Sequence, residues 1–398
     1  MNTLQQQQMM RWLPTLYFVK GLLHVLLFVV MLIMLRQLGM SVAETTASVA
    51  LLYIPWVTKW LWKPYVEHSL TYRQWILITE MILVPFFWLL TFAITDVFAT
   101  ISLLLVIASL TAVHNVAVDE LFRQSHLSDG AFGLFTIREV ARKVADVFGI
   151  GLLVMLVGNL QVIYRYAQIY SWRVMVYCVS TVLFVSFFWH LLNLPHGSNT
   201  RSFKHKTSIG ITECVYVAVF IFVPTIISKL SVLFLIENQS SYGLGLSPQE
   251  FGFAMGTLGV LGITFGMTLG MKMLKHYGIK KLILPFMLLM TIPSLIYTLL
   301  SFFAPYQLTI VYISVFVEQL AYGFGMSSYI VILKSLSNKE IGKSVMALAM
   351  MTGCALAGQL EYLMGFSNAF LLLMVLELLS LVASFLLFKR LVFHFRNH

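Results

Sequence analysis

Apolar residues run along this chain in long, nearly unbroken blocks. They show neither the alternation of a half-buried strand nor the narrow stripe of a surface helix. Twelve blocks approach or exceed the ~20 residues a helix needs to cross a bilayer. They cover 12–35, 41–62, 74–93, 97–118, 132–157, 171–192, 209–236, 248–272, 280–302, 306–333, 341–363 and 368–391. Short polar turns separate them. The pattern predicts an all-α chain, since a membrane β-barrel needs short alternating segments instead. The first block is too long for the apolar part of a signal peptide, and no small-residue cleavage site follows it. Residues 1–10, with four consecutive glutamines, read as a short mobile tail.

Composition narrows the class further. Of 398 residues, 59% are hydrophobic and only 11% charged, against about 25% charged in ordinary soluble domains. Soluble enzymes, disordered proteins and nucleic-acid binders are poor matches. The net charge of +10 acquires its meaning from position. With the N-terminus inside, the inner segments carry eighteen Lys and Arg, while the outer ones carry only Arg36, Arg165 and Arg173. This asymmetry predicts cytoplasmic termini. The longest inner loop, 193–208, holds Pro195, Gly197, Arg201, Lys204 and Lys206, with six blocks on either side. Expected are an N-terminal half, 1–192, and a C-terminal half, 209–398. Cys178, Cys214 and Cys354 lie far apart and form no CxxC, so neither a disulfide framework nor a zinc site is indicated.

Three segments carry a family resemblance. Lys59-Trp60-Leu61-Trp62-Lys63-Pro64-Tyr65-Val66-Glu67 resembles the Lys-Phe-Leu-Trp-x-Pro-Leu-x-Asp-Arg stretch of AmpG-type muropeptide permeases. His114-Asn115-Val116-Ala117-Val118-Asp119 is similar to the Gln-Asp-Ile-Ala-x-Asp segment that ends their fourth span. Glu318-Gln319-Leu320-Ala321-Tyr322-Gly323-Phe324-Gly325 is similar to the Glu-x-x-x-Gly-Gly-x-Gly segment of their tenth. This chain departs from them at His68, Asn115 and Tyr322, where the family has Arg, Asp and Gly. The resemblance implies the major facilitator fold: an all-α membrane protein with 12 transmembrane helices in two pseudo-symmetric six-helix bundles. It also implies import of anhydro-muropeptides with protons, across a bacterial inner membrane. Siderophore importers of the same branch are the nearest alternative.

Ionisable groups inside spans are costly and therefore functional candidates. Lys20 and His24 lie four apart on one face of span 1. Either a cargo anion or a structural acid would suit Lys20. Span 4 ends in Asp119, placed for gating or proton coupling, while His114 above it reads as a packed polar residue. Span 5 is the most charged, with Arg138, Arg142 and Asp146 on one face and Glu139 and Lys143 on its neighbour. The order Glu139 to Lys143 favours an i,i+4 pair, and Arg142 can partner Asp146. Both cations are cargo-site candidates. Glu318, near the middle of span 10, suits a proton-coupling acid, because desolvation favours a carboxyl's neutral form; Lys20 or Lys229 are alternative partners. Gln319 stands beside it, and Glu377 is a second mid-span acid, in span 12. Glycines at three- and four-residue steps along span 8, from Gly252 to Gly270, permit close helix packing. Trp12, Trp60, Trp62, Trp75 and Trp172 near span ends read as interfacial anchors.

The function expected is secondary transport of a small, anionic solute by a monomer, with a proton gradient as energy source and no cofactor. Drug export uses the same architecture. Two other classes compete: a multispan acyltransferase, for which only the separated His24 and His114 are available, and a sensor that binds cargo without moving it. Gly342-Lys343-Ser344 is no phosphate loop, because Ser337 occupies the place of its first glycine. Asn238-Gln239-Ser240 forms an outer-side glycosylation sequon.

Overall fold

The computed structural model describes residues 3–124, 132–165, 167–195, 209–305 and 307–394. Most of the basic loop 193–208 and the terminal Arg396 lie outside the described residues. The described residues form helices and no strand. Helix α1 (Thr3–Val25) runs through a π-helical stretch, Leu26–Val30, into α2 (Met31–Gln37). The glutamine run thus belongs to a helix, contrary to the expected tail. Then come α3 (Val42–Leu51), α4 (Ile54–Val57), α5 (Lys59–Ser69), α6 (Tyr72–Ala93), α7 (Val97–Gln124) and α8 (Phe132–Asp146). A second π-helical stretch, Val147–Leu153, leads to α9 (Val154–Ile163) and α10 (Gln168–Asn193). The remainder comprises α11 (Ile211–Ile236), α12 (Pro248–Phe251), a third π stretch at Gly252–Gly259, α13 (Val260–Tyr277), α14 (Ile279–Leu289), α15 (Ile292–Phe303), α16 (Leu308–Ser335) and α17 (Lys339–His394).

Among the described residues, ten helical stretches are long and apolar enough to cross a membrane, and Val42–Val57 forms a shorter apolar one. The last long stretch has a break at Gly365, whose φ of 74° and ψ of 169° are not helical. Local chemistry sets several ends. Ser41 with Glu44 and Thr71 with Gln74 form capping boxes at the starts of α3 and α6, satisfying backbone N–H groups that lack helical partners. Gly278, at φ 81°, closes α13.

The chain divides into two compact units, Met1–Met34 with Thr58–Lys204, and Leu35–Val57 with His205–His398. Residues 35–57 therefore group with the C-terminal sequence, because α3 lies along α17. A Cβ on Gly358 would sit 2.6 Å from the Ala43 Cα, so only glycine permits that approach.

In the first unit, Trp12, Leu13, Leu16 and Tyr17 of α1 form a core with Ile76, Ala117, Val118 and Leu121. Trp12 is 3% exposed and Trp172 0%, so neither is an interfacial anchor. Their nearness to a span end did not decide which way the ring faced; Trp60, at 60% exposure, faces outward. The second unit's core joins Tyr216, Phe220, Met287, Tyr329 and Phe388. In the most apolar windows of the stretches containing α1 and α11, 78% of residues are buried, against 22–44% in the other eight. A helix with one lipid-facing side buries about half its surface; α1 and α11 are surrounded by protein. Buried charges on these two helices consequently meet other protein groups.

Within the second unit, α13 and α16 touch backbone to backbone. A Cβ on Gly266 would sit 2.1 Å from the Leu320 carbonyl oxygen, and one on Gly323 2.7 Å from that of Ile263. On Gly259 it would meet its nearest atoms at 3.4 Å. Gly266→Val should therefore lose more than ~3 kcal/mol of stability, the upper end of overpacking costs. Gly259→Ala should change it by under ~1 kcal/mol, since helical alanine offsets the mild crowding. Thermal melting of the two purified variants, followed by helical circular dichroism, checks the contrast.

Candidate functional site

The first unit gathers charge around the middle of α1. Tyr17 and Lys20, three residues apart, share one face of that helix. Lys20 Nζ donates to Asp119 Oδ1 of α7 in a short contact. The Tyr17 hydroxyl donates to the same oxygen at 3.4 Å. From α8, the Arg138 guanidinium lies 4.4 Å from the Tyr17 ring centroid and 4.0 Å from that of Phe122. Its Nε is buried without a hydrogen-bond partner among the described residues. Arg142, one turn further, also acts on the Tyr17 hydroxyl electrostatically. What lets α8 come so close is Gly21: a Cβ there would stand 2.9 Å from that of Ala145 and 3.2 Å from the Arg142 Cα.

The pairing inside α8 differs from the expected one. Lys143 bonds Asp146 at 3.1 Å and Arg142 approaches Glu139 at 3.6 Å, both at i,i+3. The Glu139–Lys143 and Arg142–Asp146 pairs do not form, because the three-residue step lets each cation reach the carboxylate lying nearer its own face. Four cations (Lys20, Arg138, Arg142, Lys143) thus stand against three carboxylates (Asp119, Glu139, Asp146), leaving the cluster net positive. The Arg142 side chain is 46% exposed. His24 is exposed, its ring against Phe28, and stands apart from this group. The neighbouring acid Glu120 turns the other way, to Lys63 of α5 at 3.1 Å and to Arg123.

The second unit holds the other predicted acids. Glu318 of α16 is 3% exposed. Its Oε1 accepts from the Tyr297 hydroxyl of α15 at 2.9 Å and from the Gln319 amide at 2.8 Å. Lysines were the alternative partners for it; Lys20 is on Asp119, and neutral donors serve Glu318. Aromatic packing fixes the tyrosine, whose ring stacks on Phe370 at 5.5 Å and meets Phe234 edge-on. Glu377 of α17 is also buried, and neither carboxyl oxygen has a hydrogen-bond partner among the described residues. The Ser294 hydroxyl, which bears on it, donates to the Thr291 carbonyl oxygen. A carboxyl so placed is poorly compensated if charged. Lys229 of α11 lies over the Tyr53 ring at 5.9 Å.

Two arrangements have no counterpart in the sequence reading. His114 is engaged with Glu80 of α6 and, through it, with His190 of α10. Glu80 satisfies the same intramembrane-charge rule that singles out Glu318, so the signal was present. Arg36 and Glu237 form the second. Arg36 Nε donates to Oε2 at 2.6 Å and Nη2 to Oε1 at 2.8 Å, while Nη1 donates to the Met40 carbonyl oxygen. Such a fork saturates both oxygens of a buried carboxylate.

Solved structures that share this fold include transporters of the major facilitator type. The nucleoside transporter NupG aligns with a TM-score of 0.70 at 14% identity over 98% of this chain and 100% of its own. A bacterial homologue of the human drug and peptide transporters PepT1 and PepT2 aligns at 0.74, with 14% identity over 99% and 100%. A bacterial homologue of the human lysosomal transporter Spinster, inward-facing and unoccupied, aligns at 0.67, with 13% identity over 97% of each chain. No protein-family model and no curated protein matches the chain. At these identities the likeness shows the fold: a multi-pass, all-helical membrane architecture of the kind these transporters share.

The Arg36–Glu237 fork is open to a direct test. Arg36→Ala leaves a buried carboxylate uncompensated and should cost about 3–5 kcal/mol. Replacing both residues, as in R36M with E237L, should recover most of that loss. Thermal melting of the two variants reads the difference; equal losses in both would show that the uncompensated carboxylate is not what destabilises Arg36→Ala.

Proposed function

We propose that this chain is a secondary active transporter of an anionic organic solute, driven by protons. Reading the apolar stretch 339–390 as two spans at Gly365, and Val42–Ser69 as another, gives twelve helices. Six fall in each sequence half, 1–192 and 209–398, on either side of the cytoplasmic loop 193–208, and the two bundles exchange residues 35–57, which pack with the second half. The bundles alternate access to a central site. The observation that carries the reading is the net-positive cluster at Tyr17, with its buried, unfilled Arg138 Nε. Lys20 and Arg142 stand near it, Lys143 lies on the next face of the same helix, and cargo carboxylates are the natural ligands of these cations. His24 in the first unit and Gln319 in the second are further candidates for contact with cargo. Glu318, Asp119 and Glu377 are the acids that take up or gate the coupled proton. The fold neighbours include carriers of nucleosides and peptides, which supports a small polar cargo.

The specific cargo we infer is a muropeptide, imported by a monomer across a bacterial inner membrane with both termini cytoplasmic. The Lys59–Glu67, His114–Asp119 and Glu318–Gly325 segments support it. Complementation separates this from the siderophore alternative. Growth of a permease-deficient bacterium on recovered wall fragments supports the muropeptide; rescue only on an iron chelate overturns it.

Two variants test the mechanism in proteoliposomes. Glu318→Gln should abolish accumulation driven by an inward proton gradient while keeping cargo exchange, because only the coupled step needs a titratable group. Unchanged accumulation removes Glu318 from the coupling. Arg142→Gln should weaken apparent cargo affinity about tenfold, or ~1.4 kcal/mol, and less for a neutral analogue.

A further inference from the structure

Four helices of the first unit enclose a second set of ionisable groups, unused by the cargo site. Glu80, His114 and His190 are each 0% exposed. His190 Nδ1 lies 2.8 and 2.9 Å from the two Glu80 oxygens. His114 Nε2 lies 3.1 Å from Glu80 Oε1. On the far side of its ring, His190 Nε2 is 3.0 Å from the Thr15 Oγ1 of α1.

The hydrogens in this network can be counted. The Thr15 hydroxyl donates to the Trp12 carbonyl oxygen at 3.0 Å. It has one hydrogen, and with that bond made it accepts from His190; donation to Nε2 instead would leave a fully buried Glu80 carboxylate with no counter-charge. Nε2 therefore carries a hydrogen. An ionised Glu80 also only accepts, so Nδ1 carries one too. A ring donating from both nitrogens is an imidazolium. His114 donates one hydrogen to Glu80, and its Nδ1 has no hydrogen-bond partner. It is accordingly the neutral ring of the two. One carboxylate and one imidazolium sum to zero, the charge that a fully buried group tolerates best. Moving the proton from His190 Nδ1 onto Glu80 gives the same count without displacing an atom. In either form the pair holds one proton.

The other charged side chains of these helices are occupied elsewhere. Lys20 and Asp119 pair with each other, and Glu120 binds Lys63 and Arg123. Arg73 donates to the Leu191 and Leu194 carbonyls and Arg173 to that of Thr91. Arg11 is exposed, and His24 is against Phe28. The three groups must therefore balance their own charge. We propose that Glu80, His114 and His190 form a proton-binding site inside the first unit, which stores one proton between the Glu80 carboxyl and the His190 imidazole. The unpartnered His114 Nδ1 is the entry to this site: a proton taken up there is balanced by transfer of the Nε2 hydrogen onto Glu80. The site is separate from Asp119, Glu318 and Glu377, and it stands whether or not those acids couple transport.

Nitrogen-15 NMR of histidine-labelled protein in lipid nanodiscs at pH 7.5 tests this. A solvated histidine is about nine-tenths neutral there. One of the ten histidines should show both ring nitrogens protonated, and its signal should vanish in H190Q. If that variant does not fold, Thr15→Val provides the assignment, since it removes only the acceptor of Nε2–H and should shift that resonance. A neutral His190 accompanied by a protonated-carboxyl infrared band that disappears in E80Q also upholds the site. A neutral His190 together with an ionised Glu80 overturns it.

Discussion

A charge in a low-dielectric slab must be met by another charge, a set of donors or water. That requirement organises this protein. Several ionisable groups near the core helices each have their own solution. Asp119 takes a lysine, Glu237 a guanidinium fork, Glu318 two neutral donors and Glu80 two imidazoles. Glu377 has none of these among the described residues. The helices approach where they do because small residues at Gly21, Gly266, Gly323 and Gly358 allow it. Close backbones in turn bring the charged side chains within reach.

The two kinds of acid differ in what they leave available. Where a carboxylate has a full-charge partner, as at Glu237, protonation would strand an arginine. Where the partners are a phenol and an amide, as at Glu318, the carboxyl can gain or lose a proton without abandoning a charge. The geometry thus sorts latches from titrating groups more cleanly than position along a span does.

Much of the helical architecture was legible because a spanning helix leaves an unmistakable apolar run. Lys20, Asp119 and Glu318 were legible as candidates by the cost of their burial. Their partners were not, since Lys20 meets Asp119 across 99 residues and Arg36 meets Glu237 across 201. Sequence also offers no measure of which way a ring turns, so Trp12 and Trp172 looked like anchors and are core. On α8 the pairing changed from a four- to a three-residue step, a choice that rotamers and neighbours make. Periodicity is further disturbed by the π-helical stretches at Leu26–Val30 and Val147–Leu153, where the wider turn rotates later side chains out of the 3.6-residue register.

The placement of the indoles has a practical side. Seven of the eight tryptophans, including the buried Trp12 and Trp172, belong to the first unit; Trp56 alone belongs to the second. Intrinsic fluorescence of this protein is therefore almost entirely a signal from one unit. Loss of structure confined to residues 205–398 would leave the emission nearly unchanged. Agreement between a fluorescence melt and a calorimetric one is then a stringent measure of cooperativity between the two units, and their disagreement would locate which one gives way first.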